Sequence, residues 1–339
     1  MRFRRVALAD AGGHILGHNV SHQGRRLLKK GRPLGELELG QLAAAGQGFV
    51  HVAELDATDV GEDVAALRIA TVLRQAGGLC AVPAYGGRVS LRAPEHGLLS
   101  VRAELLLELN LVDGVTLACL PSHSVVAAGQ PLATLKVIPF ALPEATVVAA
   151  ERVCARGVLS LRPLPRRRVC ILVSGAEGRR ARLFEAYRVP LEQRLSGLGA
   201  HAVSAEYVAL DADPEAELGV AIKRQLDAAV DLLIVVGETA TMDRDDLAPR
   251  AIRRAGGEVL VVGAPVFPGN LLLLGYRGGS AILGAPGCVR SPARNVVDLI
   301  LPRLLLGERL GQRDVAELGL GGLLGGSQEA SGTPGDGDG

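Results

Sequence analysis

The sequence of 339 residues contains no tryptophan, and an aromatic content of 3% leaves few rings on which nucleic-acid bases could stack. Basic and acidic residues nearly cancel to a formal net charge of +1, so no overall field attracts a polyanion. The five cysteines are widely spaced and form no Cys-x-x-Cys pair, which argues against a zinc knuckle and a disulfide framework. These absences predict a protein that does not bind nucleic acid.

Long apolar runs are also missing, since none reaches the roughly 20 residues needed to cross a bilayer. The apolar stretch behind the basic start is broken at Asp10 and Gly12, so it does not resemble a signal peptide. We therefore expect a cytoplasmic protein without membrane contact. No P-loop and no Gly-x-Ser-x-Gly elbow is present, which excludes the chemistry that depends on those motifs.

Hydrophobic residues make up 48% of the chain, and their pattern changes along it. Residues 1–85 mix short strand-like segments with one helix over 59–75, and frequent turn residues over 86–165 predict a small β-rich domain. From 166 to 310, apolar runs alternate with helical stretches, which is typical of a doubly wound, mostly parallel sheet. A C-terminal extension over 311–339 is predicted to be disordered from about 325. The fold class is therefore α/β, preceded by an α+β and β-rich N-terminal region.

Two further predictions for the α/β domain concern the start of a helix and a surface for self-association. Pro190 suits the first turn of a helix, so a helix is expected to begin there and to stop at Gly199. The apolar run over 271–274 is a candidate interface between copies of the chain. The expected strands of the domain cover 169–173, 201–210, 231–236, 258–263 and 281–283.

Four loops that follow these strands are rich in glycine, hydroxyl and acidic residues. Ligands of an open parallel sheet bind beyond the carboxyl ends of its strands, where glycine amides and helix N-termini favour phosphate. Carboxylates among them would repel phosphate unless a cation intervenes, which predicts a Mg²⁺-assisted site with Asp245 as its main carboxylate. The alternative for Asp213 and Asp246 is that each caps a helix. The loops occupy 174–178, 211–214, 237–246 and 284–291.

The order of motifs resembles the molybdopterin-binding domain of the molybdopterin molybdenumtransferases, the gephyrin-like molybdenum insertases. That domain has a strand ending in Gly-x-Thr, an aspartate several residues later, a Pro-Gly pair, and a second Pro-Gly after its final strand. The matching residues here are Gly237, Thr239, Asp245, Pro268, Gly269, Gly284, Pro286 and Gly287. The turn at 174–177 is similar to the Thr-Gly-Asp-Glu turn that opens the domain. Segments at 27–31, 62–66, 125–130 and 138–139 extend the resemblance to a short form without the C-terminal β domain.

The resemblance implies a role in molybdenum cofactor biosynthesis, namely Mg²⁺-dependent insertion of molybdate into adenylylated molybdopterin. It implies that Asp245 is catalytic and, with Asp213 and Asp243, holds Mg²⁺, and that the protein is a homo-oligomer. The residues expected to bind molybdopterin or its adenylate are Ser174, Gly175, Glu177, Gly237, Glu238, Thr239, Pro268, Gly269, Gly284, Pro286, Gly287 and Ser291.

Two residues depart from the family pattern. Glu238 stands where relatives have a small neutral residue, and Ala240 replaces a hydroxyl residue. Both changes favour ligand binding over turnover, so the alternative is a non-catalytic carrier of molybdopterin or finished cofactor for a molybdenum hydroxylase. A third alternative is hydrolysis of a nucleotide phosphate ester.

Overall fold

The computed structural model describes residues 1–238 and 241–325. The chain divides into two compact units, one ending at Arg162 and the other beginning at Pro163. Within the described ranges no helix combines the length and the apolar character needed to cross a membrane. The segment predicted to be disordered lies, from residue 326 onward, outside the described residues.

The first unit is built from short antiparallel sheets and four helices in its described part. Its sheets have the strand orders β1-β5-β2, β3-β4, β13-β6, β10-β12-β8-β7 and β11-β9-β14. The elements are β1 (Arg2–Ala7), β2 (Ile15–Leu16), β3 (Val20–His22), β4 (Arg25–Leu28), α1 (Glu36–Ala44), β5 (Phe49–Glu54), β6 (Asp59–Gly61), α2 (Glu62–Gly77), β7 (Cys80–Ala84), β8 (Arg88–Arg92), β9 (Gly97–Val101), α3 (Ala103–Asn110), β10 (Val115–Cys119), β11 (Ser124–Val126), β12 (Pro131–Val137), β13 (Ala141–Pro143), α4 (Glu144–Ala155) and β14 (Leu159–Pro163).

The helix expected over 59–75 is confirmed as α2, with a later start. Residues 59–61 pair instead with β13, so the helix begins at Glu62. Its buried face, which includes Ile69 and Leu73, belongs to one hydrophobic cluster that extends to Leu161. A second cluster of the unit lies nearer the N-terminus, between Val6 and Val52.

The second unit is an α/β layer structure around a six-stranded sheet. The strand order is β16-β15-β17-β20-β19-β18, in which β16, β15, β17 and β20 are parallel and the last two strands are antiparallel. Its elements are β15 (Val169–Gly175), α5 (Arg180–Gly197), β16 (Ala202–Ala209), α6 (Pro214–Asp227), β17 (Leu232–Gly237), α7 (Leu247–Arg254), β18 (Glu258–Val262), β19 (Leu273–Arg277), β20 (Ser280–Gly284), α8 (Val296–Leu305) and α9 (Gln312–Ala316).

Helices cover both faces of this sheet, as the doubly wound prediction requires. Alternate residues of β15 divide between the faces: Ile171 packs in the cluster with α5 and α8, and Leu172 packs in the cluster with α6 and α7. Strands buried on both sides read as continuous apolar runs, which is why β15 is recognisable from the sequence. The α/β fold class with a mostly parallel sheet is confirmed.

Two details of the prediction were wrong. Helix α5 begins at Arg180 and continues through Pro190, because Tyr187, Leu191 and Leu195 all bury their side chains against the sheet and outweigh one missing N–H donor. Of the apolar run over 271–274, the last two residues begin β19, and Leu272 to Leu274 are fully buried. That strand is therefore part of the core and not an exposed interface.

Candidate functional site

A cavity of about 210 Å³ lies beyond the carboxyl ends of β15, β17 and β20. The chain leaves β15 toward β16 and then returns to pair β17 with the other side of β15. The boundary between β15 and β17 is therefore the topological switch point of the sheet, where open α/β folds bind their ligands. The predicted site residues that line the cavity are Ser174, Gly237, Glu238, Gly284, Pro286 and Gly287.

Close backbone packing holds the two central strands together at the cavity. The Ser174 side chain is buried, and its hydroxyl donates to the carbonyl oxygen of Val236 at 3.2 Å. A Cβ atom on Gly237 would lie only 2.7 Å from the Ser174 Oγ atom. Position 237 consequently requires glycine, which lets the end of β17 approach β15.

Tyr187 and Arg290 also line the cavity, and neither was among the predicted site residues. The Tyr187 hydroxyl donates to the carbonyl oxygen of Gly237 at 2.9 Å, and burial raises the pKa of this phenol, so it stays protonated at neutral pH. The Arg290 guanidinium carbon lies 5.4 Å from the centre of the Tyr187 ring, and its Nε donates to the carbonyl oxygen of Gly287 at 3.1 Å. Recognition of α5 as one helix from Arg180 would have placed Tyr187 near this edge of the sheet.

Arg290 supplies positive charge to the cavity. Within residues 1–238 and 241–325, its guanidinium forms no ion pair with a carboxylate. A guanidinium group without a carboxylate partner can form charge-assisted hydrogen bonds to a phosphate. The cavity can therefore bind an anionic group at Arg290.

Glu238 occupies the side of the cavity next to β15. Its Oε2 atom accepts a hydrogen bond from the Ala176 backbone N–H at 3.3 Å, and its Oε1 atom pairs with Arg179. The predicted residue Gly175 lies beneath it, since a Cβ there would be 3.1 Å from Glu238 Oε2. The loop after β15 is thus connected to the loop after β17 by a carboxylate.

Asp246 is the aspartate that lines the cavity, and it caps helix α7. Its Oδ1 accepts from the Leu247 N–H at 2.8 Å and its Oδ2 accepts from the Met242 N–H at 3.0 Å. These backbone donors, foremost Met242, lower the pKa of Asp246 below its ordinary value. The capping alternative is the one observed for this residue.

The three predicted Mg²⁺ ligands lie apart from the cavity lining. Asp245 is 82% exposed and pairs with Arg253 at 3.1 Å. Asp243 accepts a hydrogen bond from the Asp245 N–H at 2.8 Å, and Asp213 caps α6 through the Ala216 N–H at 3.0 Å. In the part of the chain that the structure describes, no group of three His, Cys, Asp or Glu side chains could hold a metal ion. The described residues therefore provide no metal site made of protein side chains alone, and none of the three predicted ligands lines the cavity.

Pro268 and Gly269 pack against Val296, the first residue of α8, and do not line the cavity. The Pro268 carbonyl accepts a hydrogen bond from the Val296 N–H at 3.1 Å. Gly269 has a φ of 123°, and a Cβ there would lie 2.4 Å from Val296 Cγ1. The first Pro-Gly pair thus packs against a helix terminus.

The other predicted residues have local partners. Glu177 pairs with Arg180 at 2.7 Å, and the Ser291 hydroxyl accepts from the Ala293 N–H at 3.1 Å. Neither residue lines the cavity. Thr239 lies outside the described residues.

Searches of protein-family models and of curated proteins find no match to the chain. The fold of the chain resembles solved structures of molybdopterin biosynthesis proteins, of which three are described next. MoaB from Thermus thermophilus is 21% identical, with 42% of this chain and 98% of that one covered and a TM-score of 0.31. MoeA from Pyrococcus horikoshii is 14% identical, with 90% and 75% covered and a TM-score of 0.30. Mog from Mycobacterium ulcerans is 20% identical, with 40% and 91% covered and a TM-score of 0.28. Structural likeness at TM-scores of this size establishes no function. A function for this chain must therefore be argued from the cavity and from the sequence motifs.

Proposed function

We propose that the chain acts in molybdenum cofactor biosynthesis and that the cavity binds the phosphate-bearing end of molybdopterin. The position of the cavity carries this proposal, because it lies at the switch point of a parallel sheet and combines glycine turns with an arginine that has no described carboxylate partner. The motifs that resemble the molybdopterin-binding domain meet here, since Gly237, Gly284, Pro286 and Gly287 all line the same cavity.

The size of the cavity supports binding of one end of the ligand. A volume of about 210 Å³ is smaller than the roughly 300–1,000 Å³ typical of sites that enclose a whole small molecule. A phosphate group fits within such a volume, whereas the pterin ring system would extend from it. The affinity would then depend strongly on the contacts made to the phosphate.

Binding without turnover has more support than molybdate insertion. Asp245 pairs with Arg253, and none of the three predicted Mg²⁺ ligands lines the cavity. We therefore propose a carrier of molybdopterin or of the finished cofactor for a molybdenum hydroxylase. The second candidate is a molybdenumtransferase with Asp245 as its catalytic residue, which is favoured by the position of Asp245 in the family motif.

The first prediction tests the role of Arg290 in pterin binding. Arg290→Gln removes the guanidinium from the cavity and is expected to lower the amount of bound molybdopterin about tenfold, the size of effect expected from loss of a charge-assisted hydrogen bond. Fluorescence of the oxidised pterin that co-purifies with the protein measures this amount. Arg313→Gln is the matched control, because Arg313 on α9 is exposed and pairs with Glu317, which follows that helix. Equal pterin content in the two variants would refute the proposed site.

The second prediction separates the two candidates. A carrier is expected to release no AMP from adenylylated molybdopterin, with or without added Mg²⁺, and Asp245→Asn is expected to bind molybdopterin as the native chain does. Release of AMP over many turnovers that Asp245→Asn abolishes would instead establish the molybdenumtransferase.

A further inference from the structure

The loop after β15 contains two groups suited to bind an anion, and both are already engaged by Glu238. They are the Ala176 backbone N–H, 3.3 Å from Glu238 Oε2, and the Arg179 guanidinium, which pairs with Glu238 Oε1. The Glu238 side chain is 29% exposed, so a ligand in the adjoining cavity can reach it. A carboxylate of the chain thus fills a subsite that a phosphoryl group could otherwise occupy.

The surroundings of Glu238 hold this arrangement in place. The Ala176 carbonyl accepts hydrogen bonds from the Tyr207 hydroxyl at 2.7 Å and from the Arg179 N–H at 3.0 Å, which fixes the loop. The Glu238 N–H donates to the Ser174 carbonyl at 3.0 Å, which fixes the backbone that carries the carboxylate. Backbone hydrogen bonds therefore fix the main-chain positions of both Arg179 and Glu238, the two partners of the ion pair.

The arginine that pairs with Glu238 and the arginine that lines the cavity follow strands on opposite sides of β17. Arg179 follows β15 and Arg290 follows β20, so β17 lies between them in the sheet. Two strand spacings separate the ends of β15 and β20 by about 10 Å. Among the described residues Arg179 pairs with Glu238, while Arg290 has no carboxylate partner. A ligand therefore meets one available cation, Arg290, and two carboxylates, of which Asp246 has both oxygens engaged by backbone N–H groups at the start of α7 and Glu238 stands next to the loop after β15.

We infer that Glu238 determines the charge of the ligand that the cavity accepts. A ligand with a single phosphoryl group binds at Arg290, whereas a ligand whose second phosphoryl group reaches the loop after β15 is repelled by Glu238. Rejection by an unmatched like charge is a common source of specificity. This inference rests on the proposed function and narrows its ligand to monophosphorylated molecules, as opposed to diphosphate-linked ones such as an adenylate.

Orthophosphate and pyrophosphate are the probes that test the inference, with affinities measured by isothermal titration calorimetry on the full chain. The native protein is expected to bind orthophosphate at least as tightly as pyrophosphate. Glu238→Gln is expected to tighten pyrophosphate binding about tenfold, because one like charge is removed from a partly buried site, and to change orthophosphate binding much less. Glu185→Gln is the matched control for net charge, since Glu185 is exposed and pairs with Arg188 on α5.

A second substitution identifies the group that Glu238 blocks. Adding Arg179→Gln to Glu238→Gln is expected to remove the gain in pyrophosphate affinity, because the released guanidinium is then absent. Tighter binding of pyrophosphate than orthophosphate by the native chain overturns the inference, and this result does not depend on the folding of any variant. A gain in Glu238→Gln no larger than that in Glu185→Gln overturns it as well.

Pterin content of the native chain distinguishes failure of the inference from failure of the proposed function. Bound pterin together with no selection between the two probes refutes the role of Glu238 alone. Selection by Glu238 in a chain that binds no pterin supports the inference about charge and refutes the function.

Discussion

At the scale of single residues, the cavity depends on positions where a side chain would not fit. Gly237 is such a position, because a Cβ there would lie 2.7 Å from Ser174 Oγ and 3.2 Å from the Ser174 carbonyl oxygen. The Ser174 side chain is buried and has little room to move. The family motif includes this glycine, and the structure shows a steric reason for glycine at the position.

The third prediction concerns this glycine. Gly237→Ala is expected to lower the free energy of unfolding by about 1–3 kcal/mol, since an extra methyl group must displace packed atoms. Urea denaturation measures the change. Gly178→Ala is the control, because a Cβ at Gly178 would meet no atom within 4 Å. Equal stability of the two variants would contradict the steric argument.

Helix caps are the elements that decide which carboxylates face the cavity. Asp246 begins α7 and lines the cavity, whereas its neighbour Asp245 projects to solvent and pairs with Arg253. An N-cap carboxylate must turn toward the first amides of its helix, which fixes its direction. The family motif indicated Asp245, and only the position of the helix terminus shows that the adjacent residue lines the site.

The fourth prediction follows from the lowered pKa of Asp246. Asp246→Ala is expected to lower the free energy of unfolding by about 1 kcal/mol at neutral pH, the usual effect of removing an N-cap. Because the folded pKa lies below the unfolded value of about 3.9, the charged group stabilises the fold above that pH, and its contribution is lost as the pH falls through the folded pKa.

Urea titrations of the native chain and of Asp246→Ala, at neutral pH and near pH 3, measure the difference. The difference in stability is expected to shrink at the lower pH. Asp245→Ala serves as the control, because an exposed ion pair contributes about 0–1 kcal/mol. A difference for Asp246→Ala that grows on acidification would show that the sign of the pKa shift is wrong.

Over the whole molecule, the hydrophobic clusters of the described residues each lie within one unit. Ile234 is fully buried in the central strand β17, and Leu135 is fully buried in β12 of the first unit. Burial of such side chains is the main favourable contribution to folding. Because the clusters are separate, we expect a substitution in the hydrophobic core of one unit to lower the stability of that unit alone.

The fifth prediction tests this separation. Ile234→Ala is expected to lower the free energy of unfolding of the second unit by about 2–5 kcal/mol and to raise amide hydrogen exchange in β15, β17 and β20. Leu135→Ala is expected to do the same within residues 1–162. Hydrogen exchange with mass spectrometry locates both effects. Loosening of both units by either substitution would disprove independent cores.

The α/β class, the parallel strands and the glycine turns of the site could be predicted from the amino-acid sequence, because buried strands and turns leave local patterns in neighbouring residues. Tertiary structure alone decided that Tyr187 and Arg290, about a hundred positions apart, line one cavity with Gly237. It also decided that Glu238 pairs with Arg179 and that α5 continues through Pro190. These outcomes depend on contacts between distant segments, and the spacing of residues along a chain does not encode such contacts.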